Sequence, residues 1–276
     1  MRKALRFIVI LALMSVWSYP AGAAPSSDRV ALIIGNSAYQ LASPLKNPVN
    51  DAVALASALE RLGFKVSSGL DLSLDALDSR VSAFTQGLGE STVVFFYYAG
   101  HGMQLDGRNY LVPVDFDPAG EGALAHRLVA MDKVLNAITG GQRVSIVILD
   151  ACRDNPLADN LSAEIQSGRD LRLSGDRRVQ IVGKGLAEIK GSVGTFIAYA
   201  TQPGNVAADG SGNHSPFAEG LLQFIEQPGL EIRDILTQVR KHVVQQTRNR
   251  QIPWDHSSLV ERFYLKQKQT WSAPPP

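Results

Sequence analysis

Cysteine is nearly missing from this chain. Its 276 residues include one, Cys152. A single thiol cannot close an intrachain disulfide, so no disulfide framework holds the fold. No Cys-x-x-Cys or His-x-x-x-His spacing occurs either. The remaining histidines, His126, His214, His242 and His256, lie scattered and fit no metal-site pattern, so no metal is expected. An excess of charge is also lacking: 27 basic against 26 acidic side chains leave a formal net charge of +1. Without a basic stripe, nucleic acid is not an expected partner. The segment 169–178 is locally basic but carries acids as well. There is no Gly-x-Ser-x-Gly elbow to present a hydrolase serine. The turn Gly35-Asn36-Ser37 lacks both the dinucleotide glycine fingerprint and the lysine of a phosphate loop.

Long apolar runs are missing too, and the apolar stretch 7–17 is short for a membrane span. It follows Arg2, Lys3 and Arg6 and precedes Ala21-Gly22-Ala23-Ala24, an Ala-x-Ala cleavage pattern. Residues 1–24 therefore read as a signal peptide, with an uncleaved anchor as the competing reading. The expected destination is a periplasm or the cell exterior, with no stable membrane span once the signal is cut. In that oxidising setting a lone thiol is a liability unless it serves some chemistry. The same thiol can also be read as a small buried hydrophobe.

The rest is ordinary globular material, 45% apolar and 19% charged, long enough for one large domain or two small ones. Apolar, β-branched runs at 29–35, 92–98, 144–150 and 194–201 predict buried parallel strands, with a short strand at 65–67 and a last one near 259–265. Helical periodicity covers 48–64, 73–87, 131–139, 215–226 and 230–247. This alternation predicts an α/β fold: a layer of about six mostly parallel strands with helices on both faces, in one domain over 28–266. Residues 103–130 read as an irregular insertion with a short paired segment near Tyr110. Residues 153–192, rich in Asp, Arg, Ser and Gly, read as a long flexible loop, and 267–276 as a loose tail.

Two strand ends carry the chemistry. Tyr98-Ala-Gly-His-Gly102 closes one strand and Asp150-Ala-Cys-Arg153 another. Open α/β sheets place their sites just beyond the carboxyl ends of such strands. Cys152 is then the candidate nucleophile and His101 the group that takes its proton, since imidazole titrates near neutrality. Gly100 and Gly102 let the backbone approach a substrate and adopt positive φ. The amides of Gly102 and Cys152 are candidate donors to an oxyanion.

These motifs resemble the caspase-like cysteine peptidases, above all the bacterial branch related to metacaspases and paracaspases. In caspases a histidine stands about 50 residues before the cysteine, as here. Leu45-Lys-Asn-Pro-Val-Asn-Asp-Ala52, Ala198-Tyr-Ala-Thr-Gln-Pro-Gly204 and Pro253-Trp-Asp-His-Ser-Ser-Leu259 extend the likeness over nearly the whole mature chain. The resemblance implies a caspase-like three-layer sandwich and thiol peptidase activity by a Cys152/His101 dyad. It implies no organic cofactor. Calcium dependence occurs among metacaspases, and no calcium loop is evident here.

One departure bears on substrate choice. Caspases carry glutamine two residues before the cysteine, where it helps hold a substrate aspartate; this chain has Asp150. A carboxylate there repels an acidic P1 residue and attracts a basic one. The metacaspase and paracaspase pattern adds acids at Asp51 and Asp209. Asp51 also suits a helix start, and Asp209 a turn. Protein or peptide substrates with Arg, and second Lys, at P1 are the expected partners. In the resembling family the chain after the nucleophile can be cut during maturation, which makes Arg169, Arg172, Arg177, Arg178 and Lys184 candidate self-cleavage points. An uncut surface loop is the plainer alternative. Two other functions compete: a caspase-like scaffold used only for binding or regulation, and transpeptidation in the envelope.

Overall fold

The computed structural model describes residues 28–268 except 91, 152–155, 181 and 184. The expected signal peptide thus lies outside the described residues, as do Cys152, Arg153, Lys184 and most of the tail.

The strands are β1 (Arg29–Gly35), β2 (Lys65–Leu70), β3 (Val93–Ala99), β4 (Gly102–Leu105), β5 (Arg108–Leu111), β6 (Val129–Ala130), β7 (Val144–Asp150), β8 (Arg172–Ser174), β9 (Arg177–Arg178), β10 (Val182–Gly183), β11 (Thr195–Tyr199) and β12 (Trp254–Ser257). The helices are α1 (Pro48–Arg61), α2 (Leu74–Gln86), α3 (Met131–Ile138), α4 (Pro156–Gln166), α5 (Pro216–Phe224) and α6 (Ile232–Gln246).

The main sheet runs β12-β11-β7-β3-β1-β2. All its neighbouring pairs are parallel except β11 with β12. Every residue of β3 is buried, as a central strand covered on both faces requires. Alternation divides its side chains between two cores. Phe95 and Tyr97 pack with Leu55 of α1, Phe217 of α5 and Leu236 of α6. Phe96 and Tyr98 pack on the other face with Leu77 of α2 and Val134 of α3. Three layers result, with helices on both faces.

Three differences from the sequence reading have physical causes. The last strand is not at 259–265 but at Trp254–Ser257, antiparallel to β11. It is an edge strand with no fully buried residue and with polar side chains (Asp255, His256, Ser257), so it lacks the apolar run that marks a central strand. Leu259 and Phe263 instead pack their side chains on the core without joining the sheet. Second, the insertion after His101 is organised: β4 and β5 form a hairpin flanked by β6 and β10 in a second sheet. Third, the stretch expected as a flexible loop carries α4 and the β8–β9 hairpin. Leu161, Leu171, Leu173 and Val179 from it share a third core with Met103, Leu105 and Tyr110. The apolar residues of that stretch are too widely spaced to show periodicity and find a core only by packing on the second sheet.

Candidate active site

The loop 36–47 after β1 covers the carboxyl end of the sheet and supplies groups to two adjoining clusters. It is held from below: Asp71 Oδ1 accepts the amides of Ser37 at 2.7 Å and Ala38 at 2.8 Å. Buried Asn36 accepts the Leu72 amide at 2.9 Å and donates to the Val112 carbonyl at 3.2 Å.

His101 is fully buried two residues beyond β3. Its ring lies against Tyr39, with centroids 4.3 Å apart, and its amide donates to Tyr39 Oη at 2.7 Å. Its carbonyl receives Tyr98 Oη at 2.7 Å and the Val112 amide at 3.1 Å. The ring nitrogen Nε2 stands 2.9 Å from the Ser43 carbonyl oxygen. A carbonyl only accepts, so Nε2 carries the hydrogen, and in the neutral ring Nδ1 is the basic nitrogen.

The bend that turns the chain from β3 into His101 needs glycine. Gly100 has φ +154°, and a Cβ there would sit 2.6 Å from Tyr39 Oη and 2.8 Å from Tyr98 Oη. Gly102 serves differently from the expected positive-φ role. It begins β4 opposite Leu111, and a Cβ would crowd Leu186 Cδ2 at 3.0 Å and Ala151 Cβ at 3.1 Å. Close packing, not left-handed backbone, requires glycine at this position.

The β3–β7 register pairs Ala99 with Asp150, and the Gly100 amide faces the Asp150 carbonyl at 3.4 Å. His101 and Cys152 each follow two residues after these paired positions in the chain. Cys152, both as nucleophile and as oxyanion donor, lies outside the described residues.

Two of the three acids lie at the start of α1, Asp51 within it and Asp209 against the residues just before it, while Asp150 reaches Asp51 through Ser215. Asp51, in its first turn, is fully buried. Its Oδ1 lies 2.8 Å from Nδ1 of His214, and both its oxygens face the Ser215 amide at 3.3 Å. Asp150, the last residue of β7, is also fully buried. Its Oδ2 accepts Ser215 Oγ at 2.5 Å and Tyr97 Oη at 3.4 Å. Asp51 and Asp150 are thus brought together through one residue. Burial of two carboxylates requires such donors, since an unsatisfied buried charge costs several kcal/mol, of order 3–5 when a partner is removed.

Asp209 is held apart from that pair. Its carboxylate accepts the amides of Lys46 at 2.6 Å and Asn47 at 3.3 Å, just ahead of α1. It therefore answers to the positive end of that helix, whose first amides lack internal partners. Asp209 also lines a cleft of about 370 Å³ with Leu45, Ala207, Arg250 and Gln251.

Sequence reasoning missed His214, Ser215 and Tyr39. Ser215 followed by Pro216 is a legible helix start, and Ser215 does cap α5 by accepting the Ala218 amide at 2.9 Å. Its second task, between two acids from other elements, leaves no local signal.

The arginines proposed as self-cleavage points are exposed but embedded in ion pairs. Arg169 meets Glu164 at 2.7 Å, Arg172 meets Asp176 at 3.0 Å, Arg178 meets Asp170 at 2.8 Å and Arg177 meets Asp106 at 3.7 Å. Arg172, Arg177 and Arg178 belong to a hairpin whose Leu173 is buried.

Among the described residues, no group of three or more His, Cys, Asp or Glu side chains is placed to hold a metal ion. No described helix is long and apolar enough to cross a membrane.

Known proteins share sequence with this chain. Over 129 residues, 46% of this chain, it is 33% identical to the human mucosa-associated lymphoid tissue lymphoma translocation protein 1, and the mouse homolog of that protein matches equally. The match spans 15% of the length of each relative. The family model described as the caspase domain matches residues 28–264. The chain belongs to the caspase-domain family of cysteine peptidases.

Proposed function

We propose that this chain is an exported cysteine endopeptidase that hydrolyses peptide bonds after Arg, and less readily after Lys. Cys152 attacks the scissile carbonyl while its proton passes to His101 Nδ1. The amides of Gly102 and Cys152 receive the developing oxyanion. The imidazolium then returns the proton to the departing amine, leaving a thioester on Cys152. Water, deprotonated by His101, hydrolyses the thioester and regenerates the thiol. The observation that carries this reading is the seating of His101: a fully buried imidazole with Nε2 tied to the Ser43 carbonyl at 2.9 Å, which makes Nδ1 the basic nitrogen of the neutral ring. Asp51, Asp150 and Asp209 supply the charge that selects a basic P1 side chain. A guanidinium matches carboxylates with a forked set of donors, which favours Arg over Lys.

The test uses the chain from Pro25, with and without Cys152→Ala, on matched fluorogenic peptides ending in Arg, Lys and Asp. Reactions run under reducing conditions, with and without calcium. Cysteine-dependent release after Arg or Lys supports both dyad and acidic pocket. Release after Asp keeps the dyad and removes the pocket assignment. No release in any condition replaces the peptidase with a binding module, and transfer of the acyl group to an added amine in preference to water replaces it with a transpeptidase.

A further inference from the structure

Ser215 reaches the carboxylates of two of the three acids, and it does so with two different donors. Its backbone N–H faces both Asp51 oxygens at 3.3 Å, and its hydroxyl meets Asp150 Oδ2. The hydroxyl oxygen also accepts the Ala218 amide at 2.9 Å. That division settles the proton's direction: the oxygen caps α5, and the single O–H hydrogen points to Asp150. Ser215 has no freedom to leave this position. It is 0% exposed, it is the N-cap of α5 with Pro216 at the first helical position, and Phe217 and Leu221 anchor that helix in the core.

We infer that Ser215 is a positioning residue for P1 recognition: it holds the Asp51 and Asp150 carboxylates at one spacing and so sets the preference for Arg over Lys. The inference rests on the reading of these two acids as the P1 pocket. Two carboxylates left without a shared donor repel each other, and each then moves or neutralises by its own local balance. A planar guanidinium depends on the relative placement of two acceptors, because its donors form a rigid fork. An ammonium is a compact point charge on a flexible stem and tolerates looser geometry. Loss of the hydroxyl therefore penalises Arg more than Lys.

The experiment compares Ser215→Ala, Ser215→Gly and Ser73→Ala with wild type. Ser215→Gly removes the donor to Asp150 but keeps a residue well tolerated at an N-cap, so it serves where the alanine variant does not fold. Ser73 caps α2 by accepting the Ala76 amide; its replacement copies the loss of a helix cap away from the acids. Readouts are kcat and KM on Arg and Lys peptides, and the rate of Cys152 alkylation by iodoacetamide, which does not use the P1 pocket.

We expect the Ser215 variants to lose about tenfold in kcat/KM on Arg, mainly in KM, and no more than about threefold on Lys. Their alkylation rate should stay at the wild-type value, and Ser73→Ala should keep the wild-type Arg-to-Lys ratio. An unchanged Arg-to-Lys ratio in the folded Ser215 variants of an Arg-selective enzyme overturns the role of Ser215 alone. A wild-type enzyme that cleaves after neither Arg nor Lys overturns that role together with the pocket on which it rests.

Discussion

The imidazole of His101 and the backbone carbonyl of Ser43 meet at 2.9 Å across the carboxyl edge of the sheet. A peptide oxygen orients that nitrogen. Because the partner is main chain, ring orientation depends on the fold of the loop 36–47 rather than on one replaceable residue. Replacing His101 itself by Ala should lower kcat by roughly 10²–10⁴-fold, and should also lower the melting temperature, since the ring is buried against Tyr39. Steady-state kinetics beside a thermal melt checks this, and wild-type turnover in the variant would remove His101 from the chemistry.

Gly100 is the point where backbone geometry and space both forbid a side chain. We expect Gly100→Ala to destabilise the fold by at least about 2 kcal/mol, combining a positive φ with overlap on the Tyr39 and Tyr98 hydroxyls. Denaturant unfolding measures it. A variant as stable as wild type would show that the bend before His101 adapts without cost.

Tyr39 both covers the imidazole and accepts the His101 amide at 2.7 Å. Tyr39→Phe keeps the ring contact and removes the acceptor in a buried setting, so about 1–3 kcal/mol of stability should be lost. Activity should fall through kcat, since the residue displaced is His101 rather than a substrate contact. A change confined to KM would place Tyr39 in substrate binding instead.

The carboxylates can be neutralised without changing shape. Asp51→Asn and Asp150→Asn should each cut kcat/KM on Arg peptides by about tenfold to a hundredfold, while alkylation of Cys152 by a small reagent is spared. Equal losses on alkylation and peptide cleavage would mean the substitutions disturb the fold and not P1 recognition.

Far from the site, Arg61 and Glu226 form a paired fork, with three contacts between 2.6 and 3.2 Å. The hydrogen bond from Arg61 is the main cause holding the Glu226 carboxyl below its ordinary value of 4.5. A carboxyl lowered on folding stabilises the native state above its unfolded pKa, and that contribution fades as pH falls through the folded value. The pair is exposed, so the effect is small and screened by salt. Melting temperatures of wild type and Glu226→Gln should therefore differ slightly at pH 7 and low salt, and converge as pH falls below the lowered pKa of Glu226. A difference that persists in acid would assign the stabilisation to packing.

Much of this molecule is readable along the chain because its central strands are buried on both faces. The run Val93–Ala99 is continuously apolar or aromatic, and so is most of Val144–Asp150; such runs announce parallel core strands, and their ends mark His101 and Cys152 as candidates. Asp51 and Asp209 were legible only through likeness to a family pattern, since an acid near a helix start and an acid in a turn are both ordinary. The edge strand Trp254–Ser257 and the hairpin at 172–178 escaped, because each is stabilised by partners distant in the chain and carries no periodicity of its own.

The sequence alone determined the central strands and main helices, the family and the two strand ends that carry the candidate residues, since burial on two faces and glycine-flanked motifs are local properties. Only the tertiary structure decided how those pieces are held. Ser43 meets His101 across 58 positions, and Ser215 joins Asp51 and Asp150 across 164 and 65. Hydrogen bonds need atoms about 3 Å apart, and separations of that length are closed by packing of the whole sheet and its helices, which no stretch of the chain specifies by itself.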